Sequence, residues 1–369
     1  MKRRMLLPVL ALMVFSTAWA STITVGPGGP PSFNYATIQA AVTAAAPGDV
    51  IKVAAGTYTE SNILVDKSVT IMGIAASRDQ VLIVPAAEDG NADNAFGNSA
   101  QNAFVIAAHA VTIRNLTIDG QGNPILTPGK YNYRAGVVTL DESQPGGGVW
   151  HNLHVDNVDI KYCWRRGISV WPRTVSGTVI ENSTVQYVYY NQGMYLGGHS
   201  QVLNNTVKHC FQGIVQTPDP TTPTGLFKAN GNMVLEIGNY AGCYNYPNGQ
   251  PRAIQFDAVD STFRTVEIRN NTINDNGYTG TVGTVGIYTR RANAASLVEN
   301  NTITLGSGSS FTSGTQAVGL LLGWSYGRAF TARLNHITNS GYGIGIMLVD
   351  AGAANAKPMI LEQNVLNSS

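Results

Sequence analysis

Charge is scarce in this chain. Asp, Glu, Lys and Arg make up 12% of its 369 residues, about half of what globular chains carry, and the formal net charge is +1. That leaves no basic field to hold nucleic acid or an anionic membrane surface. Cysteine is nearly absent too. Cys163, Cys210 and Cys243 allow at most one disulfide, and none has the spacing of a metal site. His151, His154, His199, His209 and His336 are scattered without ligand spacing, which favours structural or surface roles. Beyond the first residues no apolar run is long enough to cross a bilayer. Polar character comes instead from Asn, Thr, Ser and 40 Gly, a composition suited to tightly stacked turns.

The chain opens Met1-Lys2-Arg3-Arg4, continues with an apolar run over 5–15, and then reads Ser16-Thr17-Ala18-Trp19-Ala20. A basic start, an apolar middle and an Ala-x-Ala site are expected of a signal peptide over 1–20, cut before Ser21. The apolar run is short for a membrane anchor, and no Cys follows the cut to carry a lipid. Loss of Lys2, Arg3 and Arg4 takes the formal charge from +1 to −2. The mature protein is therefore expected to be secreted or periplasmic, with one domain over 21–369.

One phrase recurs along that domain. In Val266-Glu267-Ile268-Arg269-Asn270-Asn271-Thr272-Ile273 apolar and polar residues alternate at strand period, an Asn pair turns the chain, and Ile273 returns it to the apolar side. Copies run through Asn182, Asn204 and Asn300, with degenerate ones at Asn115, Asn157, Asn335 and Asn364. Short strands repeating every 20–30 residues without helix predict a parallel β-solenoid. Its coils stack about 4.8 Å apart, eleven or twelve of them, and the repeated Asn becomes a column whose amides bond to one another and to the turn backbone. Cys163 and Cys210 then fall two coils apart, about 10 Å, too far for a bridge. A bridge from Cys210 to Cys243 and three buried thiols stay open as alternatives.

Before the coils, Asn34 precedes Tyr35, Ile38, Val42 and Ala45 at helical spacing, ended by Pro47-Gly48. This predicts a helix over 35–46 that covers the open end of the first coil. The run Ala36-Thr37-Ile38-Gln39-Ala40-Ala41, Pro47-Gly48-Asp49-Val50-Ile51-Lys52-Val53, Gly56-Thr57-Tyr58-Thr59-Glu60 and Val69-Thr70-Ile71-Met72-Gly73 resembles the N-terminal coils of the pectin-lyase-like superfamily. The resemblance spans residues 22–74. It implies an all-β fold, a single-stranded right-handed parallel β-helix with an N-terminal capping α-helix. Chondroitinase-B-like and pectate lyases, polysaccharide epimerases and periplasmic copper-maturation helices share this opening, so it implies no single activity. The Gln-Asp-Thr phrase of pectin methylesterases and the Asn-Thr-Asp and Gly-His-Gly phrases of polygalacturonases are missing.

A second phrase, Gly then an apolar residue, follows each Asn turn at Gly136, Gly167, Gly193, Gly213, Gly286, Gly319 and Gly345, with Ala253 in the same place. The Gly is expected to supply the positive φ of a sharp turn. If Ile168 and Val170 point inward, their neighbours point out and stack into two ribbons. One is Val138, Ser169, Tyr195, Val215, Gln255, Tyr288, Leu321 and Met347. The other is Leu140, Trp171, Gly197, Thr217, Asp257, Arg290, Gly323 and Val349. Arg166, Gln192, Gln212 and Arg252 form a polar edge. Turn-rich stretches at 85–103, 121–135, 141–149, 218–225, 238–252 and 306–316 leave the solenoid and are expected to build a groove on one side.

That outward sheet is where chemistry is expected. Trp171, Tyr195, Tyr288 and Trp324 offer flat faces to sugars, with Arg166 beside them. Asp257 and Arg290 share a position on consecutive coils, and Arg252, Asp260 and Arg291 are close in sequence. β-Elimination of a uronate polymer needs a cation on the sugar carboxylate and a base for the C5 proton, often with Ca²⁺ held by carboxylates. The catalytic reading makes Asp257 and Asp260 base or metal ligands and lets Arg252 and Arg290 hold the carboxylate. The alternative is a cross-strand ion pair of Asp257 with Arg290 and aromatics that only cover neighbouring coils. Lys161 and Lys208 stack on a different sheet, which leaves the groove without a lysine base. The expected partner is polysaccharide, bound and cleaved by a lyase-type reaction; a non-catalytic structural or adhesive solenoid is the rival. The last strands, over 361–369, read as half a coil, so further sequence, a partner or earlier loops folding back are expected to cover them.

Overall fold

Valines and isoleucines at every other residue make short strands with one buried face, and the Asn and Gly between them turn the chain, so that it winds into a coil. The computed structural model describes residues 20–87, 100–121, 133–171, 175–217, 225–238, 251–257, 264–275, 283–292, 295–306, 317–323, 331–338, 342–347 and 360–367. Among these residues 28 strands pair in parallel, each with the equivalent strand of the neighbouring coil, and wind as a right-handed parallel β-helix. Three faces result. The first runs from Thr22–Val25 through Val50–Val53, Thr70–Gly73, Thr178–Glu181, Ser200–Leu203, Leu226–Asn230, Thr265–Arg269, Leu297–Glu299 and Thr331–Arg333 to Ile360–Glu362. The second includes Gly56–Thr59, Met233–Ile237, Thr272–Asp275, Thr302–Leu305 and Val365–Asn367. The third includes Ile63–Val65, Asn102–Ile106, Tyr133–Thr139, Arg252–Asp257, Val285–Arg290 and Val318–Gly323. His154–Val170 and Thr184–Leu196 are continuous through a corner.

Inward residues form aliphatic columns. Ile160, Val185, Val207, Val234, Ile273, Ile303 and Ile337 lie in register on the second face, and each is buried. Val155, Ile180, Val202, Ala229, Ile268, Val298 and Ala332 do the same on the first. Each Val or Ile side chain so buried contributes about 1.5–3 kcal/mol against exposure.

The corner between the first two faces carries two Asn columns. The outer one, Asn115, Asn157, Asn182, Asn204, Asn270 and Asn300, holds left-handed φ values of 51–56°, which Asn tolerates better than other side-chain-bearing residues. Gly231 takes that place in the coil that sequence periodicity passed over. The inner column, Asn205, Asn232, Asn271, Asn301 and Asn335, is at most 1% exposed. From Asn232 onward each Oδ1 accepts the backbone N–H and Nδ2 of the preceding Asn, Asn205 Oδ1 accepts Ser183 N–H, and each Nδ2 also donates to a carbonyl of the preceding coil. Every hydrogen-bonding group of these buried amides is thereby used.

Three expectations are corrected. The glycines at 136, 167, 193, 213 and 286 do not supply positive φ; they are there because the interior is closed. A Cβ on Gly167 would lie 2.2 Å from Val185 Cγ1, and one on Gly213 would lie 2.3 Å from the Ala253 carbonyl oxygen. Positive φ falls instead at Tyr162, Tyr187, His209 and Glu236, at the corner just before. In the last rung the register pairs Leu321 with Gly345 and Gly323 with Met347, so Met347 belongs to the second ribbon; Val349 lies outside the described residues. The helix is Ile38–Ala44, shorter than 35–46, and Thr37 caps it. Thr37 accepts Ala40 N–H, whereas Asn34 Oδ1 accepts Thr24 N–H at 2.7 Å. Glu60 accepts Ile38 and Gln39 N–H at 2.7 and 2.9 Å, and Lys67 donates to the carbonyls of Val42 and Thr43. Both charges match the helix dipole. Ile38, Ala41 and Val42 are buried in the core of the first coils.

Cys163 and Cys210 are buried two coils apart with Val188 between them, as the spacing predicts; Cys243 lies outside the described residues. In the last described coil the core-facing positions Leu361 and Leu366 are 42% and 53% exposed.

Candidate functional site

The outer surface of the third face is built by register. Ser169, Tyr195, Val215, Gln255, Tyr288 and Leu321 form one continuous column, with Val138 next to Ser169. Trp171, Tyr195 and Tyr288 therefore share one flank. Beside the column, Arg166 Nε donates to Gln192 Oε1 at 3.1 Å, and Gln192 Nε2 donates to Gln212 Oε1 at 2.8 Å. The expected polar edge is thus a hydrogen-bonded row, and Arg252 is next in it.

The tyrosines do not present open faces. The Arg166 guanidinium sits 4.1 Å from the Tyr195 ring centroid, and Trp171 stacks on that ring at 5.9 Å. Arg252 sits 4.2 Å from the Tyr288 centroid. Tyr195 and Tyr288 are only 8% and 4% exposed. Cation–π stacking of this kind holds a guanidinium plane in a fixed direction while leaving its N–H edges for other partners. Arg166 also donates from Nη1 to Ser169 Oγ at 3.1 Å. Burial, reinforced by the Asp257 carboxylate, pushes the Tyr288 phenol above its ordinary range, against the opposing pull of Arg252 and Arg290.

At Arg166 the surface opens into a cleft of about 380 Å³ lined by Val138, Thr139, Asp141, Ser143, Gln144, Arg165, Arg166, Ser169, Trp171 and Tyr195. Its wall is the turn-rich stretch 141–149. Asp141 Oδ1 accepts Ser143 N–H at 2.9 Å and the Ser143 hydroxyl, and Trp150 Nε1 closes the turn on the Leu140 carbonyl at 2.6 Å. Its floor is fixed by Thr139, whose hydroxyl accepts Trp171 N–H at 2.7 Å and donates to the Trp171 carbonyl at 2.6 Å. Asp141, Ser143, Gln144 and Arg165 were not singled out by sequence. The Gly and Pro cluster at 145–148 marked the loop but not which of its residues turn toward the sheet.

The structure thus brings Arg166, Trp171 and Tyr195 together, and separately Arg252, Asp257, Tyr288 and Arg290, three coils further along. Asp257 and Arg290 are direct register partners, with Arg290 Nε 2.8 Å from Asp257 Oδ1. Asp260 and Trp324 lie outside the described residues. Arg291 is 9% exposed. Lys161 and Lys208 are on the second face, in register through Gln186. His154 pairs with Glu181 and His209 with Glu236, both at 2.9 Å. Among the described residues no group of three or more His, Cys, Asp and Glu side chains is gathered to hold a metal ion, and no helix is long and apolar enough to cross a membrane.

No family model and no curated protein matches the chain. Among solved structures it is similar to the catalytic unit of a GH87 α-1,3-glucanase from Streptomyces thermodiastaticus, at 14% identity and a TM-score of 0.47, over 90% of this chain and 65% of that one. It is similar to an alginate lyase from Paenibacillus at 16% identity and a TM-score of 0.44, over 94% and 99% of the two chains. A pectin methylesterase from Aspergillus niger aligns at 12% identity and a TM-score of 0.43, over 96% and 87%. The chain spans less than two thirds of the glucanase unit's length. With its three stacked faces and its corner ladder, the chain is a right-handed parallel β-helix.

Proposed function

We propose that the chain binds acidic polysaccharide on the outer surface of its third face, with the cleft at Arg166 as the principal site. The observation that carries this is the meeting of two guanidiniums, Arg165 and Arg166, with the half-buried indole of Trp171 on one open cleft. A guanidinium matches a uronate carboxylate with two parallel N–H bonds, and an indole offers an apolar surface to the C–H face of a pyranose. The near-neutral remainder of the molecule adds no general attraction for anions, so recognition rests on this surface. We take residues 1–20 to be a leader and the protein to be secreted or periplasmic.

Cleavage is the finer reading. β-Elimination would use Arg252 and Arg290 on the substrate carboxylate and Asp257 or Asp260 as base or Ca²⁺ ligand, with Arg166, Trp171 and Trp324 contacting the chain and the covered Tyr195 and Tyr288 holding the arginines. The ion pair of Asp257 with Arg290 favours a second reading, binding without cleavage, because a carboxylate held by a guanidinium is not poised to take a proton. The test is incubation with polygalacturonate and alginate, following both binding and the ultraviolet absorbance of the unsaturated product, with and without Ca²⁺. Under the cleavage reading Asp257→Ala and Arg290→Ala each abolish the signal. Binding without absorbance supports the second reading. Failure to bind any acidic polysaccharide overturns both.

A further inference from the structure

The Arg166 arrangement occurs twice. Tyr195 is the register partner of Ser169, three residues after Arg166; Tyr288 is the register partner of Gln255, three residues after Arg252. In each case the arginine of one coil lies over the tyrosine of the next, at 4.1 and 4.2 Å from the ring centroid. Arg166 and Arg252 occupy the same row, separated by the levels of Gln192 and Gln212. Three rises of about 4.8 Å place the two units about 14 Å apart along the axis.

We propose that Arg252 on Tyr288 is a second anionic subsite, and that a bound acidic polysaccharide lies parallel to the solenoid axis, held at both units at once. This rests on the reading above and deepens it: the ligand is an extended polyanion, not a single uronic acid. The row between the units is compatible with such a chain. It carries the amides of Gln192 and Gln212, neutral groups that neither repel a carboxylate nor require one. The acid near the second unit, Asp257, is paired with Arg290, so two guanidiniums against one carboxylate leave that unit positive. Stacking pre-orients both forks, which lowers the entropy lost on binding. A parallel β-helix is a rigid rod, so the spacing of the units is fixed by the coil rise. Two weak sites at fixed spacing convert the second contact into an intramolecular one.

The experiment is calorimetric titration of the full chain with size-fractionated oligouronates from dimers upward. Affinity is expected to step up, on the order of a hundred-fold, once the oligomer spans both units. Arg166→Gln and Arg252→Gln should each bring the ratio of long- to short-oligomer affinity down toward one. Circular dichroism and unfolding midpoints verify folding. Should Arg252→Gln not fold, Arg252→Lys keeps the charge, loses the planar fork and should still shrink the step. A smooth rise of affinity with length, or a step that survives in the Arg252 variants, overturns the second subsite while leaving the cleft proposal standing. No binding at any length sinks the cleft proposal itself.

Discussion

Asn301 Oδ1 accepts two hydrogen bonds from Asn271, one from its backbone N–H at 3.0 Å and one from its Nδ2 at 2.9 Å. Asn271 Nδ2 also donates to the Ala229 carbonyl, and its Oδ1 receives both donors of Asn232. One side chain therefore serves three coils from a position 1% exposed. Asn271→Ala leaves buried donors and acceptors without partners on both sides, each worth about 1–3 kcal/mol. The expected loss is about 3 kcal/mol or more, measured by urea unfolding. Asn270→Gly, one residue earlier on the exposed left-handed position, should change stability by less than about 1 kcal/mol. Equal effects at the two positions would refute the inner ladder as a main contributor.

The glycine column gives a second expectation. At Gly167 an added methyl meets Val185 Cγ1 at 2.2 Å and the Gly193 carbonyl oxygen at 2.8 Å, whereas at Gly28 nothing lies within 4 Å. Overpacking of this kind costs about 1–3 kcal/mol, occasionally more. Gly167→Ala should lower the thermal midpoint clearly and Gly28→Ala should not; two indistinguishable melting curves would contradict the closed interior.

Stability should depend on pH from two sides. Burial pushes the Asp275 carboxyl up to about 7 from its ordinary 3.8, against the pull of its bond from Thr284. A raised carboxyl binds its proton more tightly in the folded state. Its contribution is therefore full below about pH 4 and fades as the pH rises through about 7. Asp275→Asn should flatten that decline, which amounts to a few kcal/mol at about 1.4 kcal/mol per unit. His151 has the opposite sense. Burial first, and His109 second, hold it below its ordinary 6.5, while its Nδ1 accepts Ser176 N–H at 3.1 Å. Stability from this group is lost as the pH falls below about 6.5, and His151→Gln should flatten the acid limb. Unfolding curves across pH for the two variants check both slopes.

Asp257 and Arg290 are partly exposed, at 19% and 31% of their side chains. A double-mutant cycle with Asp257→Ala and Arg290→Ala should give a stability coupling of at most about 1 kcal/mol after solvent screening. Run on polyuronate binding, the same cycle separates a structural pair from a working one. A large effect of either single change on binding, out of proportion to the stability coupling, marks the pair as part of the ligand surface.

Much of this was legible before any coordinates. The Asn phrase at 182, 204, 270 and 300 announced the coil because its chemistry is local: a strand must alternate, and a left-handed corner admits few side chains. For the same reason the inward set, from Ile168 to Leu320, and the placement of Trp171, Tyr195 and Tyr288 on one flank could be read by counting. Counting failed where local reasons were replaced by contacts with another coil. Gly231 stood in for Asn and hid a rung. The glycine before Ile168 looked like a turn residue, when its true constraint is Val185, a residue of the next coil.

Sequence by itself determined the coil, its direction of alternation and the residues that face out, since each of these follows from the conformational preferences of a few consecutive residues. Tertiary structure alone decided what those outward residues are doing. That Arg166 covers Tyr195, that Arg252 covers Tyr288, and that Arg165 and Asp141 meet at one cleft depends on the coil rise and on which long side chain lies across it. Arginine has enough rotatable bonds to reach several partners, and only packing between neighbouring coils selects one.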